Sequence, residues 1–242
     1  MKIAIVGAAG RMGNMLVALA KERGFDVAYK VDAIDGYDKT FGDDTEAVVD
    51  FSHHSALAGS IGRAAAIGAA YVIGTTGVTA EEQAIVNEAA KKIPVVQSGN
   101  YSLGVNLLLG FAKKAGEVLG EQYDVEVVEM HHKHKKDAPS GTALMLAKAV
   151  AAGRGVDFDS KAVYGRKGDT GERPAGEIAV HALRGGSVVG DHTVMFAGDV
   201  ERVELVHKAQ SREAFAAGAL ESAKWAKDKA PGLYTMLDVL GF

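Results

Sequence analysis

The chain has 242 residues, enough for one large domain or two smaller ones with substantial cores. A hydrophobic fraction of 48% with 24% charged residues excludes a disordered chain, and a formal charge of −4 argues against nucleic acid as a main partner. The absence of cysteine rules out disulfides and thiol catalysis. No apolar run can span a bilayer, and a strand starting within two residues of Met1 leaves no room for a signal peptide, so the expected setting is the cytoplasm.

Lys2, Ile3, Ala4, Ile5 and Val6 read as a short buried strand. Gly7, Ala8, Ala9, Gly10, Arg11, Met12 and Gly13 follow, and a helical pattern runs over 12–22. This is a G-x-x-G-x-x-G variant of the dinucleotide fingerprint in its strand–turn–helix setting. Its glycines permit a tight turn and close approach of a pyrophosphate to the helix N-terminus. A second strand over 25–31 ends at Asp32, 19 residues beyond Gly13, where an acid can bind the adenine ribose hydroxyls. The plainer alternative is a loop aspartate at a strand end. No arginine follows Asp32, which makes NADH the easier fit, while Lys30 and Lys39 keep NADPH open.

A third strand over 47–51 ends at Ser52, His53 and His54, and a helix is expected through Ala70. The strand at 71–74 leads into Gly74, Thr75, Thr76 and Gly77. Thr79 with Glu82 forms a capping box for a helix to Lys92. A strand over 93–97 ends at Ser98, Gly99, Asn100 and Tyr101. Alternating strands and helices imply a parallel doubly wound sheet, which binds ligands outside the carboxyl ends of its strands. The glycine turn, Asp32 and residues 52–54, 74–77 and 98–101 all fall at that edge, as one nicotinamide-cofactor cleft requires.

From about Leu103 the pattern changes. A helix over 105–119 leads to a strand ending at Glu129. Then come Glu129-Met-His-His-Lys-His-Lys-Lys-Asp-Ala-Pro-Ser-Gly-Thr-Ala143 and an apolar helix to Val150. Ser140 is a plausible N-cap, and the N–H groups of Gly141 and Thr142 would face an anion at the positive end of that helix. Lysines and imidazoles beside such an N-terminus suit a small anionic substrate that needs a proton. Standing alone, the run would read as a solvated charged surface. A metal site from His131, His132 and His134 is disfavoured, because the neighbouring lysines repel a cation and no cysteine is available. A polar loop over 164–176 precedes strand-like runs at 177–184, 187–197 and 202–210, and a last helix runs from Ser211 through Lys227. The expected architecture is α/β: a Rossmann-type doubly wound parallel sheet carrying an inserted α+β domain. Residues 1–102 and 212–242 form the dinucleotide-binding domain and 103–211 the insertion, with hinges near Ser102 and Arg212. His181, His192 and His207 lie on strands, where structural roles are the usual outcome.

The sequence resembles the 4-hydroxy-tetrahydrodipicolinate reductase (dihydrodipicolinate reductase) family of the diaminopimelate route to lysine. The resemblance rests on Gly7-x-x-Gly10-Arg-Met-Gly13, Gly74-Thr-Thr-Gly77 and Asn100-Tyr-Ser-x-Gly-Val-Asn106. Its most specific part is Glu129-x-His-His-x-x-Lys135-x-Asp-Ala-Pro-Ser-Gly-Thr142, followed by Arg184-Gly-Gly-x-Val-Val-Gly-x-His192 and Phe196-Ala-Gly. It implies a homotetrameric enzyme reducing a cyclic imine dicarboxylate with NADH or NADPH and losing water, with residues 103–211 binding substrate and forming the tetramer. It implies His131 as proton donor or acceptor and Lys135 as proton donor, with His132, Ser140, Gly141 and Thr142 on the substrate. Gly7, Ala8, Ala9, Gly10, Arg11, Met12, Asp32, Gly74, Thr75, Thr76, Ser98, Gly99, Asn100 and Tyr101 would hold the cofactor, with Arg212 adding a contact near the hinge. The family often has a basic residue beside the acid matched by Asp32 and a Pro after the residue matched by His53; Ala33 and His54 stand there instead.

The residues alone do not decide whether His131 or Lys135 delivers the proton. Lys133, His134 and Lys136 read as solvated steering charges, and Asp137 as a structural partner at the turn. A phosphorylating semialdehyde dehydrogenase would share the first domain, but it needs the cysteine this chain lacks. A non-catalytic nicotinamide-dinucleotide-sensing protein is the rival from another class. It would keep the cofactor turn and have no need of His131 or Lys135.

Overall fold

The computed structural model describes residues 1–32 and 41–242, so the readings that rest on Ala33 and Lys39 lie outside the described residues. The chain opens with β1 (Lys2–Val6), α1 (Arg11–Glu22), β2 (Asp26–Val31), β3 (Ala47–Asp50), α2 (Leu57–Ile67), β4 (Ala70–Ile73), α3 (Ala80–Ala90) and β5 (Pro94–Gln97). It continues with α4 (Leu103–Leu119), β6 (Asp124–His131), α5 (Gly141–Arg154), β7 (Ala162–Tyr164), β8 (Ile178–Arg184), β9 (Gly190–Ala197) and β10 (Arg202–Ala209). It closes with α6 (Glu213–Ala226), β11 (Gly232–Tyr234) and α7 (Met236–Leu240). Two compact units result: Met1–Leu103 with Glu213–Phe242, and Gly104–Arg212.

In the first unit six parallel strands run in the order β11-β5-β4-β3-β1-β2. Strand order reverses at β1, so the crevice at the carboxyl ends of β1 and β3 is the topological switch point where such sheets bind ligands. Alternation along the strands builds a core on each face. Ile3, Ile5, Val49 and Val72 join Leu16 of α1 and Leu220 of α6 in one cluster; Ala4, Val6, Val48 and Tyr71 join Leu57 and Ile61 of α2 in the other. The capping box of Thr79 and Glu82 heads α3 as the sequence suggests. Helix α2 stops at Ile67, short of Ala70, because Gly68 adopts φ 73 and turns the chain into β4. Strands β7 and β11 escape the sequence reading. Each has three residues, too few to show alternation, and each adds to an existing sheet edge.

The second unit is built on a mixed sheet in the order β10-β9-β6-β8-β7. Central β6 pairs antiparallel with β9 and parallel with β8. It extends to His131, beyond the expected end at Glu129, and its burial alternates so that Val125, Val127, Glu129 and His131 share one inner face. Helix α5 packs on β6, β8 and β9. Two inward apolar residues are therefore followed on the same strand face by two inward polar ones, which places chemistry at one end of a packed sheet.

Close approach of α6 to its own unit depends on Gly218, where an added Cβ would stand 1.6 Å from the Tyr101 carbonyl oxygen. Gly218→Ala is expected to destabilise the protein by about 1–3 kcal/mol through overpacking. Gly62, inside α2 with nothing within 4 Å of an added Cβ, is the counterpart: Gly62→Ala should stabilise by roughly 0.5–1 kcal/mol. Denaturant midpoints of the two variants, shifted in opposite directions, would check both statements.

Candidate active site

The residues singled out from sequence fall into two groups, one in each unit. In the first unit, the turn after β1 is shaped for close backbone approach. Gly7 adopts φ 80, and a Cβ at Gly13 would lie 2.0 Å from the Gly7 carbonyl oxygen. Asp32, half-buried at the end of β2, accepts the Ala9 N–H at 2.9 Å through Oδ2, which joins the acid to the glycine turn. Helix α1 begins after Gly10 with no side-chain cap and no acid in its first turn. Its leading N–H groups suit a pyrophosphate. Arg11 is exposed there, and Met12 is half-buried.

The neighbouring strand ends are locked by Asp50, a fully buried carboxylate at the end of β3. Its Oδ1 accepts the Ser52 N–H at 2.9 Å and the Thr75 hydroxyl at 3.0 Å, while Oδ2 accepts the Ser60 hydroxyl at 3.2 Å and the Tyr71 hydroxyl at 2.5 Å. Burial, reinforced by the Asp50 charge, pushes the Tyr71 phenol well above its usual pKa, so it serves as a hydrogen-bond donor. Thr75 is thus committed inward, and Thr76 is exposed beside it. Ser98 and Asn100 bind one another: the Ser98 hydroxyl donates to the Asn100 carbonyl at 2.7 Å and accepts the Asn100 N–H at 3.2 Å, while Asn100 Oδ1 accepts the Ser102 N–H at 2.8 Å. Tyr101 directs its hydroxyl at the Ile73 and Val96 carbonyls, 2.7 and 2.9 Å away, which leaves its ring rather than its hydroxyl for a ligand.

A cavity of about 260 Å³ lies between Met12, Phe51, Gly74, Tyr101 and Phe215, with Ser98, Gly99 and Asn100 at its edge. The Phe51 ring lies against Gly74, where a Cβ would come within 2.2 Å of it. An apolar slot at the carboxyl edge, next to an uncapped helix N-terminus and an acid at the end of β2, fits a nicotinamide dinucleotide. Phe51 and Phe215 escape the sequence reading: an aromatic at a strand end or on a helix reads as core until the fold shows which space it borders.

In the second unit the register of the sheet assembles the other group. Glu129 of β6 stands opposite His192 of β9, His192 opposite His207 of β10, and His131 opposite Arg184 of β8. Glu129 is fully buried. Its Oε2 accepts from His131 Nδ1 at 2.6 Å and Arg184 Nη1 at 2.8 Å; its Oε1 accepts from Arg184 Nη2 at 3.0 Å and the Ser140 N–H at 2.9 Å. Burial works to raise the Glu129 pKa, but the hydrogen bonds from Arg184, His131 and Ser140 outweigh it and hold the carboxyl below its ordinary range. The Ser140 hydroxyl accepts the Ala143 N–H at 3.2 Å, capping α5 as its sequence suggests, and Gly141 and Thr142 head the helix. The half-buried His132 has a buried Nδ1 without a hydrogen-bond partner among the described residues, a group suited to a ligand. Lys135 forms an ion pair with Asp137 at 2.9 Å, and the Asp137 carbonyl accepts from Arg184. Lys133, His134 and Lys136 are exposed.

The strand histidines take three different roles. His181 is bonded to Glu126 on the opposite sheet face, at 2.5 Å. His192, which sequence placed among purely structural residues, belongs to the cluster: its ring meets that of His131 at 5.1 Å, and its Nε2 lies 3.3 Å from the Ser140 hydroxyl. Burial, with the charge of His131 added, lowers its pKa to about 4. His207 follows at 6.5 Å from His192, its pKa also lowered by burial. Arg212 is exposed just before α6.

The depressed pKa of His192 predicts acid sensitivity. Between the ordinary value of 6.5 and about 4 the unfolded chain binds the proton and the folded one does not, so stability falls as pH drops through that window. His192→Asn should remove a loss of about 3 kcal/mol accumulated by the low end of the window. Denaturant unfolding across it would give the slopes, and equal slopes would contradict the assignment.

Comparison with known proteins gives consistent matches along the whole chain. A family model described as dihydrodipicolinate reductase, N-terminus, matches residues 1–101, and its C-terminus counterpart matches 104–240. A 4-hydroxy-tetrahydrodipicolinate reductase from Rhodopseudomonas palustris (strain BisB18) is 46% identical, covering 100% of this chain and 97% of that one. In fold, the chain is similar to a dipicolinate-bound dihydrodipicolinate reductase from Paenisporosarcina sp. TG-14, with a TM-score of 0.75 at 23% identity over 98% of each chain. It is more distantly similar to an engineered D-amino acid dehydrogenase bound to NADP+, with a TM-score of 0.55 at 16% identity over 98% of this chain and 93% of that one.

Proposed function

The chain belongs to the dihydrodipicolinate reductase family, and from that premise we propose how its residues divide the family's reaction. It is a nicotinamide-cofactor-dependent enzyme that reduces 4-hydroxy-tetrahydrodipicolinate to tetrahydrodipicolinate with loss of water, a step in lysine biosynthesis by the diaminopimelate route. The observation that carries the assignment of roles is the cluster around Glu129, an acid–base pair beside a helix N-terminus at one end of one sheet, with the next residue, His132, holding an imidazole nitrogen that has no partner among the described residues.

The first unit holds the cofactor. The residues from Gly7 to Met12 and the head of α1 receive the pyrophosphate, Asp32 the adenine ribose, and the slot beside Phe51, Gly74, Thr75, Thr76 and residues 98–101 the nicotinamide. When bound, the cofactor supplies the hydride. Both NADH and NADPH are accepted in this reading, with Asp32 favouring the ribose that lacks a 2′-phosphate. Arg212 adds a cation near the boundary of the units.

The second unit holds the dicarboxylate. His132, Ser140, Gly141 and Thr142 hold one carboxylate through ring and backbone donors, aided by the dipole of α5. Net, the carbon–oxygen bond to the ring hydroxyl breaks, a carbon–hydrogen bond forms, and the oxygen leaves as water after taking a proton. In this reading His131 and Lys135 are the acids that supply and relay that proton. His131→Gln and Lys135→Ala should each lower kcat by about 10²–10⁴-fold with cofactor dissociation constants near native. Steady-state rates with both cofactors, beside fluorescence titrations of cofactor binding, are the check; a native kcat in both variants would remove the assignment.

We further propose a homotetramer working in the cytoplasm. The sheet face opposite α5 carries Val128, Met130 and Met195, half-buried, and Leu183 and Val206, which are 46% and 48% exposed. That apolar face and the loop over 164–176 are the surfaces proposed to meet the other subunits. Light scattering should give four chains per particle, and Leu183→Glu combined with Val206→Glu should yield smaller species. A monomeric native protein would contradict the assembly.

A further inference from the structure

His131 is an acid with two ends, and one of them is already engaged. Nδ1 sits 2.6 Å from Glu129 Oε2, and the side chain keeps about one-tenth of its surface exposed. Glu129 has no exposure at all, yet both its oxygens are filled: Arg184 contacts both, the Ser140 N–H takes one and His131 the other. The carboxylate is thereby fixed from β8, from the head of α5 and from its own strand. Nothing is left over for a substrate, so its consequences must pass through the ring it touches.

We propose that Glu129 is the positioning residue of the proton-transfer step. Held in place by Arg184, it keeps the neutral His131 ring as the Nδ1–H tautomer, presents Nε2 to the substrate, and stabilises the imidazolium formed when Nε2 carries the proton. The proposal rests on the reading of His131 as a proton carrier. The proton leaves Nε2 for the substrate, the ring becomes neutral, and the Nδ1–H bond to Glu129 persists throughout; the carboxylate itself is never protonated.

Charges on every neighbouring element agree with this. On β8, Arg184 is the cross-strand neighbour of His131 and donates to both carboxylate oxygens, sharing Oε2 with the ring, so its charge is spent on Glu129. On β9, His192 packs edge-on to His131 but stays uncharged above about pH 4, as burial and the His131 charge dictate, so it does not oppose an imidazolium. His207 on β10 lies behind it, at 6.5 Å. Lys135 in the following loop is held by Asp137, and from the head of α5 the Ser140 N–H reaches the same carboxylate as the ring, that of Glu129. Glu129 is thus the carboxylate in direct contact with the ring. Replacing it by a neutral group removes the interaction that favours the charged ring and leaves the burial that disfavours it.

The test is nitrogen NMR of the full-length protein labelled with ¹⁵N-histidine, using His131→Gln to identify the His131 signals. In the native protein the neutral ring should carry its proton on Nδ1, the less populated tautomer of free histidine; a proton on Nε2 overturns the proposal. In Glu129→Gln the His131 midpoint should fall by about one pH unit or more. The pH profile of kcat should move with it, kcat should drop about a hundredfold, and KM should stay near native. An unchanged midpoint and an unchanged profile overturn the proposal, whatever the variant's stability. If Glu129→Gln does not fold, the native tautomer decides. Failure of the underlying reading shows separately, as native turnover in His131→Gln, whatever the tautomer.

Discussion

A carboxylate with no exposed surface must be surrounded by donors or lose its charge, and the second unit is arranged around that requirement at Glu129. Its four hydrogen bonds tie the end of β6 to Arg184 on β8, to the first residue before α5 and to the His131 ring. The same carboxylate that accepts the Ser140 N–H at the head of α5 also engages Nδ1 of His131, and in the proposed reading it leaves Nε2 for chemistry. Hydrophobic burial brings the sheet and helix together, and the bonds to Glu129 tie them at one end.

In the proposed reading, the two units serve different halves of one chemical problem. In the first, the sheet is parallel and the binding edge is made of backbone: a glycine turn, a helix start and strand ends cross-linked by buried Asp50. Such an edge recognises a ligand shared by many enzymes. In the second, a mixed sheet aligns side chains in rows, so that Glu129, His192 and His207 stand side by side across three strands and His131 and Arg184 across two. Side-chain rows are specific to one reaction. In the proposed reading, hydride donor and dicarboxylate are held by structures of unlike kind, joined in one chain.

The sequence made much of this legible, for reasons that differ by region. The strand–turn–helix of residues 2–22 is a local pattern whose glycines each have a steric reason, so it reads directly. The histidine–lysine stretch reads as a site because its residue types are chemically loud and a helix cap follows at Ser140. Other features depend on pairing across the sheet and leave no local trace. Arg184 and His192 lie 55 and 63 positions beyond Glu129, and only the register of β8 and β9 brings them to it. For the same reason His192 read as a structural histidine. Phe51 and Phe215 are 164 positions apart and border one cavity. Three-residue strands such as β7 and β11 have no period to detect.

The central claim is that the two half-sites serve one reduction. It is tested most directly by following the loss of reduced-nicotinamide absorbance with freshly generated 4-hydroxy-tetrahydrodipicolinate and the native protein. The account predicts oxidation that begins only when substrate is present, continues over many turnovers and yields one tetrahydrodipicolinate per cofactor oxidised. Tight cofactor binding with no substrate-dependent oxidation would contradict it, and would point to a protein that senses the dinucleotide without using it.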